Sequence, residues 1–545
     1  MTARRLNLLA LLCAGSLCAP RLPAESPQQT EWRSRVRQET AALAAPPGPP
    51  GAAQRNPIDA FLADWYSGHG IERPARCDDT AFVRRVHLDL VGLLPDAQTT
   101  EEFLADAAAD KRSKLVDRLL ADKQAYAEHW ITFWNDLLRN DEQDHILVTR
   151  HAITKWLLQA LIHNEPYDQF VGELINPGEQ GPTGFIQGVE WEFSNTASDI
   201  PPMQVAQVSA QVFQGVNLKC SSCHDHFSHA WKLNDAWNFA SFFADGPLEP
   251  QRCDKPTGQR ATPQFLFAGL GQVEPQTPRR ERLQQLSLMI TRPKNPRFAK
   301  VIVNRLFKKL IGQGLIERVD DLDDRQPFKP ELLEWLAYDF MSHDYDVKQL
   351  LRQIATSDTY QLVPVDAGRP NEDGDGEPLF VGPRLRRMSS EQFLDAVSAV
   401  TGYWPKSATM KVEVDNPRIR AWRHREPSRL ATVIGRPNRD VVQSERLDIA
   451  TMLQALELVN GKVLADYVQA GAKEILGSEL GKSGDAAKVV DQLCLRAYSR
   501  HARPEEAELA GEMLGPAGAD AAARQQGLED LLWILVVSPE FQYLH

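Results

Sequence analysis

From Ile58 onward the apolar residues keep returning at helical spacing, and no other feature of the chain constrains its fold as strongly. Ile58, Phe61, Leu62 and Trp65 fall at i, i+3, i+4 and i+7, one face of a helix. Leu115, Val116, Leu119 and Leu120 repeat the pattern, and so do Trp130, Phe133, Trp134, Leu137 and Leu138, then Trp156, Leu157, Ala160 and Leu161. In the second half, Pro330 precedes Leu332, Leu333, Leu336 and Phe340; a proline in the first turn gives up an N–H that has no helical partner anyway. Val347, Leu350, Leu351 and Ile354 form the next stripe. Thr99-Thr100-Glu101-Glu102 and Ser389-Ser390-Glu391-Gln392 read as capping boxes, each with a hydroxyl three residues before Glu or Gln. Further helices are expected from Thr451, Ala486, Pro504 and Leu528. Strand signals are sparse and no fixed-period repeat is visible, so the predicted class is mostly α.

At 545 residues the chain exceeds one ordinary core. The expectation is two helical domains joined by a Pro-rich linker, with long irregular loops. Residues 1–24 read as a signal peptide and 25–56 as a Pro/Ala-rich tether around Ala44 to Gly51. Residues 57–246 are the first helical domain and 280–545 the second. Residues 247–279, with Pro247, Pro250, Pro256, Pro263, Pro275 and Pro278, are the linker. Gly178 to Pro202 and Asp366 to Glu377 read as loops.

The N-terminus predicts export. Arg4 and Arg5 precede a largely apolar run from Leu6 to Cys18, and Ala19 or Ala24 supplies a small residue for cleavage. Leucine before both Cys13 and Cys18 argues against lipidation. No later segment has 18 uninterrupted apolar residues, so no transmembrane segment is expected after the signal, and the location is periplasmic or extracellular. The net charge of -12 argues against a nucleic-acid partner, which would require clustered cations. Seven cysteines become five once the signal is removed. Export puts them in an oxidising compartment, and an odd number cannot all pair within the chain.

The sharpest chemical signal is Cys220-Ser221-Ser222-Cys223-His224. Two thiols three positions apart can bond the two vinyl groups of a porphyrin, and the following imidazole can reach its iron, as in haem c attachment. Electron-transfer haems usually carry a second axial ligand, for which Met203, Met289, His226 and His229 are candidates. Two rival readings use the same residues. Cys220, Cys223, His226 and His229 could hold zinc tetrahedrally, or Cys220 and Cys223 could form a disulfide. If haem takes both, Cys77 and Cys253 are left as one conceivable disulfide. Trp231, Trp237, Phe239, Phe242 and Phe243 read either as an apolar wall for a porphyrin or as core. Asp320, Asp321, Asp323 and Asp324 form an acidic cluster without the glycine and terminal glutamate of a calcium loop. His129 with Asp136, and His87 with Asp89, are candidate acid–base pairs. No phosphate loop, nucleophile elbow or His-Glu-x-x-His motif is present.

An ordered series of motifs resembles the paired domains of unknown function of exported planctomycete cytochrome-like proteins. In the first domain these are Ile58 to Leu62, Arg84 to Pro95, Leu115 to Leu120, Pro166 to Phe170 and Cys220 to His226. In the second they are Asn295 to Ala299, Val303-Asn304-Arg305, Pro330 to Leu336, Gly435 to Arg439 and Ser538 to Phe541. The resemblance implies export, association with cytochrome-like domains such as a redox partner, and Cys220, Cys223, His224 and His226 as motif positions. It implies no reaction. Relatives often carry cysteines ahead of the Glu-Arg pair; here Val441, Val442 and Ser444 precede Glu445-Arg446, which puts a site shared between the domains in doubt.

Overall fold

The computed structural model describes residues 27–51, 56–142, 148–191, 196, 199–323, 326–365, 379–406, 409–446, 449–516 and 520–545. Residues 1–24, expected as a signal, and the stretch Asp366 to Glu377, expected as an acidic loop, lie outside them.

The described chain is mostly α. Its strands form three two-stranded antiparallel pairs: Val148–Arg150 with Val189–Trp191, Gln251–Arg252 with Lys255–Pro256, and Arg386–Arg387 with Tyr543–Leu544. The helical faces read from the sequence point inward. Leu115, Val116, Leu119 and Leu120 are the buried residues of the helix Lys111–Ala121, and Ile58, Phe61, Leu62 and Trp65 are buried in Pro57–His69. Pro330 opens the helix Pro330–Ser342, and Ser389 closes a reciprocal capping box with Gln392. The first expected box is different. Asp96, not Thr99, caps the helix Ala97–Ala105, its carboxylate accepting from the Thr99 N–H. A carboxylate placed one turn earlier is the better partner for the positive end of the helix.

The division into cores does not follow the linker. One apolar cluster runs from Val36 through the first domain and on to Phe298, Leu336, Ile354 and Tyr360, reaching Trp422. The helix Arg279–Thr291 packs on Tyr167–Ile175, and Phe298–Ile311 packs on Pro201–Gln214. The Pro-rich segment itself buries Ala261, Phe265 and Val273 in this cluster. A second cluster is built from residues 388–544 with Leu88 and Leu94. Two further expectations change. Residues 27–41 of the presumed tether form the helix Pro27–Ala41, whose Val36 and Thr40 are buried and whose Trp32 indole donates to Asp168 at 2.8 Å. The presumed loop from Gly178 contains the short helix Thr183–Gln187 and the strand Val189–Trp191, and its closing prolines open the helix Pro201–Gln214.

The helix Asp79–Val91 sits at the junction, with every residue from Phe82 to Val91 buried. Phe82, Val83, Val86 and Leu90 belong to the first core and Leu88 to the second. Its buried Arg84 donates to the carbonyls of Ala497, Phe541 and Tyr543, and Arg85 to those of Tyr360, Leu362 and His545.

Candidate functional site

The cysteine motif follows the helix Pro201–Gln214, which ends at Gly215 in the left-handed region at φ 59°. A Cβ there would lie 2.6 Å from Leu322 Cδ1, so glycine satisfies both the backbone and the close approach of the 319–323 segment. Val216 and Leu218 anchor the chain in the core. The Ser222 N–H then donates to the Leu218 carbonyl, and the N–H groups of Cys223 and His224 both donate to the Cys220 carbonyl. Cys220, Cys223 and His224 therefore share a single helix-like turn, as residues i, i+3 and i+4. The turn is fixed from beneath by buried Ser221 and Ser222; the Trp237 indole donates to the Ser222 carbonyl at 3.1 Å.

Cys220 is exposed and Cys223 half-buried. The His224 Nδ1 lies 2.8 Å from the Asp225 carbonyl. A carbonyl only accepts, so Nδ1 carries the proton and the lone pair sits on Nε2, which has no hydrogen-bond partner among the described residues. Phe227, 90% exposed, packs against this imidazole with ring centroids 4.5 Å apart. His226 has the opposite tautomer: its Nδ1 accepts from the N–H groups of Ser228 and His229 at 3.2 and 3.1 Å. Burial and the adjacent His229 push its pKa down. His229 turns its Nε2 to Asp321 Oδ2 at 3.3 Å.

Cys253 joins this site, a residue the spacing of the motif does not reveal. The hairpin Gln251–Arg252/Lys255–Pro256 carries Cys253 and Asp254 at its tip, both in the left-handed region at φ 49° and 62°. The Cys253 N–H donates to the Cys223 carbonyl at 2.9 Å, and the two thiols are in hydrogen-bond contact. Partial burial, then this thiol neighbour, push the Cys223 pKa up. Cys77, suggested by sequence as a partner for Cys253, is instead buried beside Arg112.

The other expectations separate. Among the described residues no three His, Cys, Asp or Glu side chains converge as a metal-holding group. Met203 and Met289 are buried in the first core, as are Trp237, Phe239, Phe242 and Phe243, so these aromatics are core and not an open wall. The aspartates of the acidic cluster face different partners: Asp320 takes the Gln211 amide, Asp321 faces His229, and Asp323 takes the Trp231 indole and the Arg297 guanidinium. Asp324 lies outside the described residues. Neither acid–base pair forms. The His87 Nδ1 bonds the Val83 carbonyl, while Asp89 is held by Arg386 and the Tyr360 hydroxyl. The His129 Nε2 bonds the Asp89 carbonyl, while Asp136 is held by Arg439 and Arg446.

The donor set fits haem attachment chemically, with two thiols one turn apart and an imidazole whose Nε2 is free. Among the described residues no helix is long and apolar enough to cross a membrane. A family model described as a protein of unknown function (DUF1549), PSCyt2, matches residues 57–247. A second, also described as a protein of unknown function (DUF1553), PSD1, matches residues 281–514. No curated protein and no solved structure matches the chain.

Proposed function

For a chain that belongs to the proteins joining a PSCyt2 domain to a PSD1 domain, we propose an exported single-electron carrier with haem c on the Cys220–His224 turn. The observation that supports it is the shared turn of Cys220, Cys223 and His224 with the His224 Nε2 unengaged. Cys220 and Cys223 would hold the group by thioether bonds and His224 would ligate its iron. Haem would supply a one-electron couple whose potential depends on the axial ligand and on solvent exposure. The Asp225 carbonyl orients the imidazole and raises the basicity of Nε2. The exposed position of Cys220 and Phe227 suits contact with a redox partner protein carrying a cytochrome-like domain.

The test is production of the full chain in a periplasm equipped for haem maturation. The expected result is one haem per chain that survives denaturation and is lost in Cys223→Ser. Colourless protein refutes the proposal.

A second reading rests on the contact between Cys223 and Cys253. In an oxidising compartment these thiols would form a disulfide pinning the hairpin to the turn of a non-catalytic module. Closing a loop of roughly 30 residues this way is worth about 3–4 kcal/mol. Peptide mapping without reductant separates the readings, because a Cys223–Cys253 cross-link removes a thiol that haem needs. One zinc per chain and no haem would favour the module with a metal at the Cys/His segment.

A further inference from the structure

The junction between the two cores forms a half-open cavity of about 210 Å³ lined by more cations than anions. The helix Phe298–Ile311 contributes Arg305, Lys308 and Lys309; the strand Arg386–Arg387 contributes both of its arginines, and Arg446 completes the cationic side. Three carboxylates, Asp89, Asp136 and Glu445, also line it, so six cations face three anions.

The local pairing uses up all three carboxylates. Both Asp89 oxygens are taken by Arg386 at 2.8 Å. Asp136 is shared by Arg439 and Arg446 at 2.9 and 2.7 Å. Glu445 lies 2.7 Å from Lys308, which also pairs with Glu317. Three cations are left without a carboxylate. Arg387 donates only to the amide oxygens of Gln454 and Gln542. The Lys309 ammonium has no hydrogen-bond or ion-pair partner among the described residues, while its carbonyl accepts from Arg386. Arg305, 3% exposed, uses its Nη2 on the Gln211 carbonyl and leaves buried Nε and Nη1 without partners. The buried Ser444 hydroxyl on the cavity wall is also unpartnered.

Buried guanidinium groups are ordinarily paired, since an uncompensated buried charge is among the most destabilising features a fold can carry. Here the unmatched donors line the same space: Glu391 adds a partner for Arg446 and Glu317 one for Lys308, but no carboxylate bonds Arg305, Lys309 or Arg387. The balance is restored if the counter-charge comes from a ligand. We infer that this cavity binds a small oxyanion with at least two negative charges, of the carboxylate, phosphate or sulfate type, recognised by Arg305, Lys309 and Arg387. Planar guanidinium groups suit such oxygens, and Lys309 adds a point charge. The burial that pushes the Lys309 pKa down to about 8, helped by Arg446 and Arg386, agrees with a cation short of counter-charge. None of Cys220, Cys223, His224, His226 and His229 lines the cavity, so the inference does not rest on the haem reading.

The test uses the full exported chain, titrated calorimetrically with citrate, inorganic phosphate and sulfate against potassium chloride at equal ionic strength. At least one should bind saturably, and the anion that does identifies the carboxylate, phosphate or sulfate class. Lys309→Gln and Arg387→Gln, each on the cavity wall with few bonds to lose, should weaken it by about tenfold or more while leaving the circular dichroism unchanged. Absence of saturable binding by all three anions overturns the inference. So does an affinity unchanged in both variants.

Discussion

Removing Arg420 should cost about 3–5 kcal/mol, and the cost should depend on pH in a defined way. Arg420 and Asp395 are 3% and 2% exposed and pair at 2.7 Å. The same guanidinium donates to the carbonyls of Val91 and Gly92 at 3.1 and 3.2 Å, tying the end of the junction helix to the second core. In Arg420→Met, Asp395 keeps one strong donor, the Ala421 N–H at 2.8 Å, and the carbonyls of Val91, Gly92 and Ala125 lose the guanidinium. Burial already pushes the Asp395 carboxyl up to about 6 despite Arg420. Without the arginine it rises further, so the folded variant takes up a proton where the native protein does not. The penalty should therefore shrink by about 1.4 kcal/mol per unit as pH falls from the variant's new pKa to about 6, then level off. Guanidinium unfolding followed by tryptophan fluorescence measures this, with Trp422 as a nearby reporter. Arg420→Met combined with Asp395→Leu should cost less than the sum of the singles by about 2 kcal/mol or more. A single-variant cost under about 1 kcal/mol, or strict additivity, refutes the reasoning.

Three further outcomes are expected. Gly92→Ala should destabilise by about 2–4 kcal/mol in the same assay, because a Cβ at φ 69° would lie 2.3 Å from His129 Nδ1 and 2.9 Å from Arg420 Nη2. Trp32→Phe removes the indole donor of Asp168, whose carboxyl burial pushes up to about 6. A raised carboxyl favours folding as pH falls through that value, so the loss, about 1–3 kcal/mol near pH 7.5, should be smaller near pH 5; hydrogen exchange of residues 31–41 reads it. Oxyanion affinity should fall as pH rises through about 8, where Lys309 loses its proton. The facing Arg446 and Arg386 promote that loss while Asp89 and Asp136 oppose it, and calorimetry at pH 6.5 and 9.5 should find the dependence abolished in Lys309→Gln.

Much of the helical architecture was legible because apolar spacing and cap chemistry act locally. Leu115 to Leu120 needed only a face to bury, and Ser389 with Gln392 needed only each other. The helix Pro27–Ala41 was not legible, since its periodic apolar signal is little more than Trp32 and Val36; Asp168 and the helix Pro330–Ser342 hold it in place. The Pro-rich segment was read as a linker, yet its backbone packs Phe265 and Val273 into the first core. At the site, the turn of Cys220, Cys223 and His224 follows from the motif. Cys253 reaches Cys223 only through a hairpin with no glycine at its tip to announce it. Arg305 and Lys309 look like ordinary helix residues until the second core closes over them.

The pairing of Arg386–Arg387 with Tyr543–Leu544 brings the C-terminus onto the second core, and the grip of Arg84 on the carbonyls of Phe541 and Tyr543 joins positions 457 and 459 apart in sequence. Such contacts close the longest loops in the chain and form late. The junction helix Asp79–Val91 therefore waits, with Arg84 Nη1 and Nη2 and Arg85 Nε unsatisfied, until the last residues emerge. A polypeptide interrupted shortly before Phe541 would keep most of its helices but leave these three guanidinium nitrogens facing an open seam. Proteases and chaperones would meet that seam first.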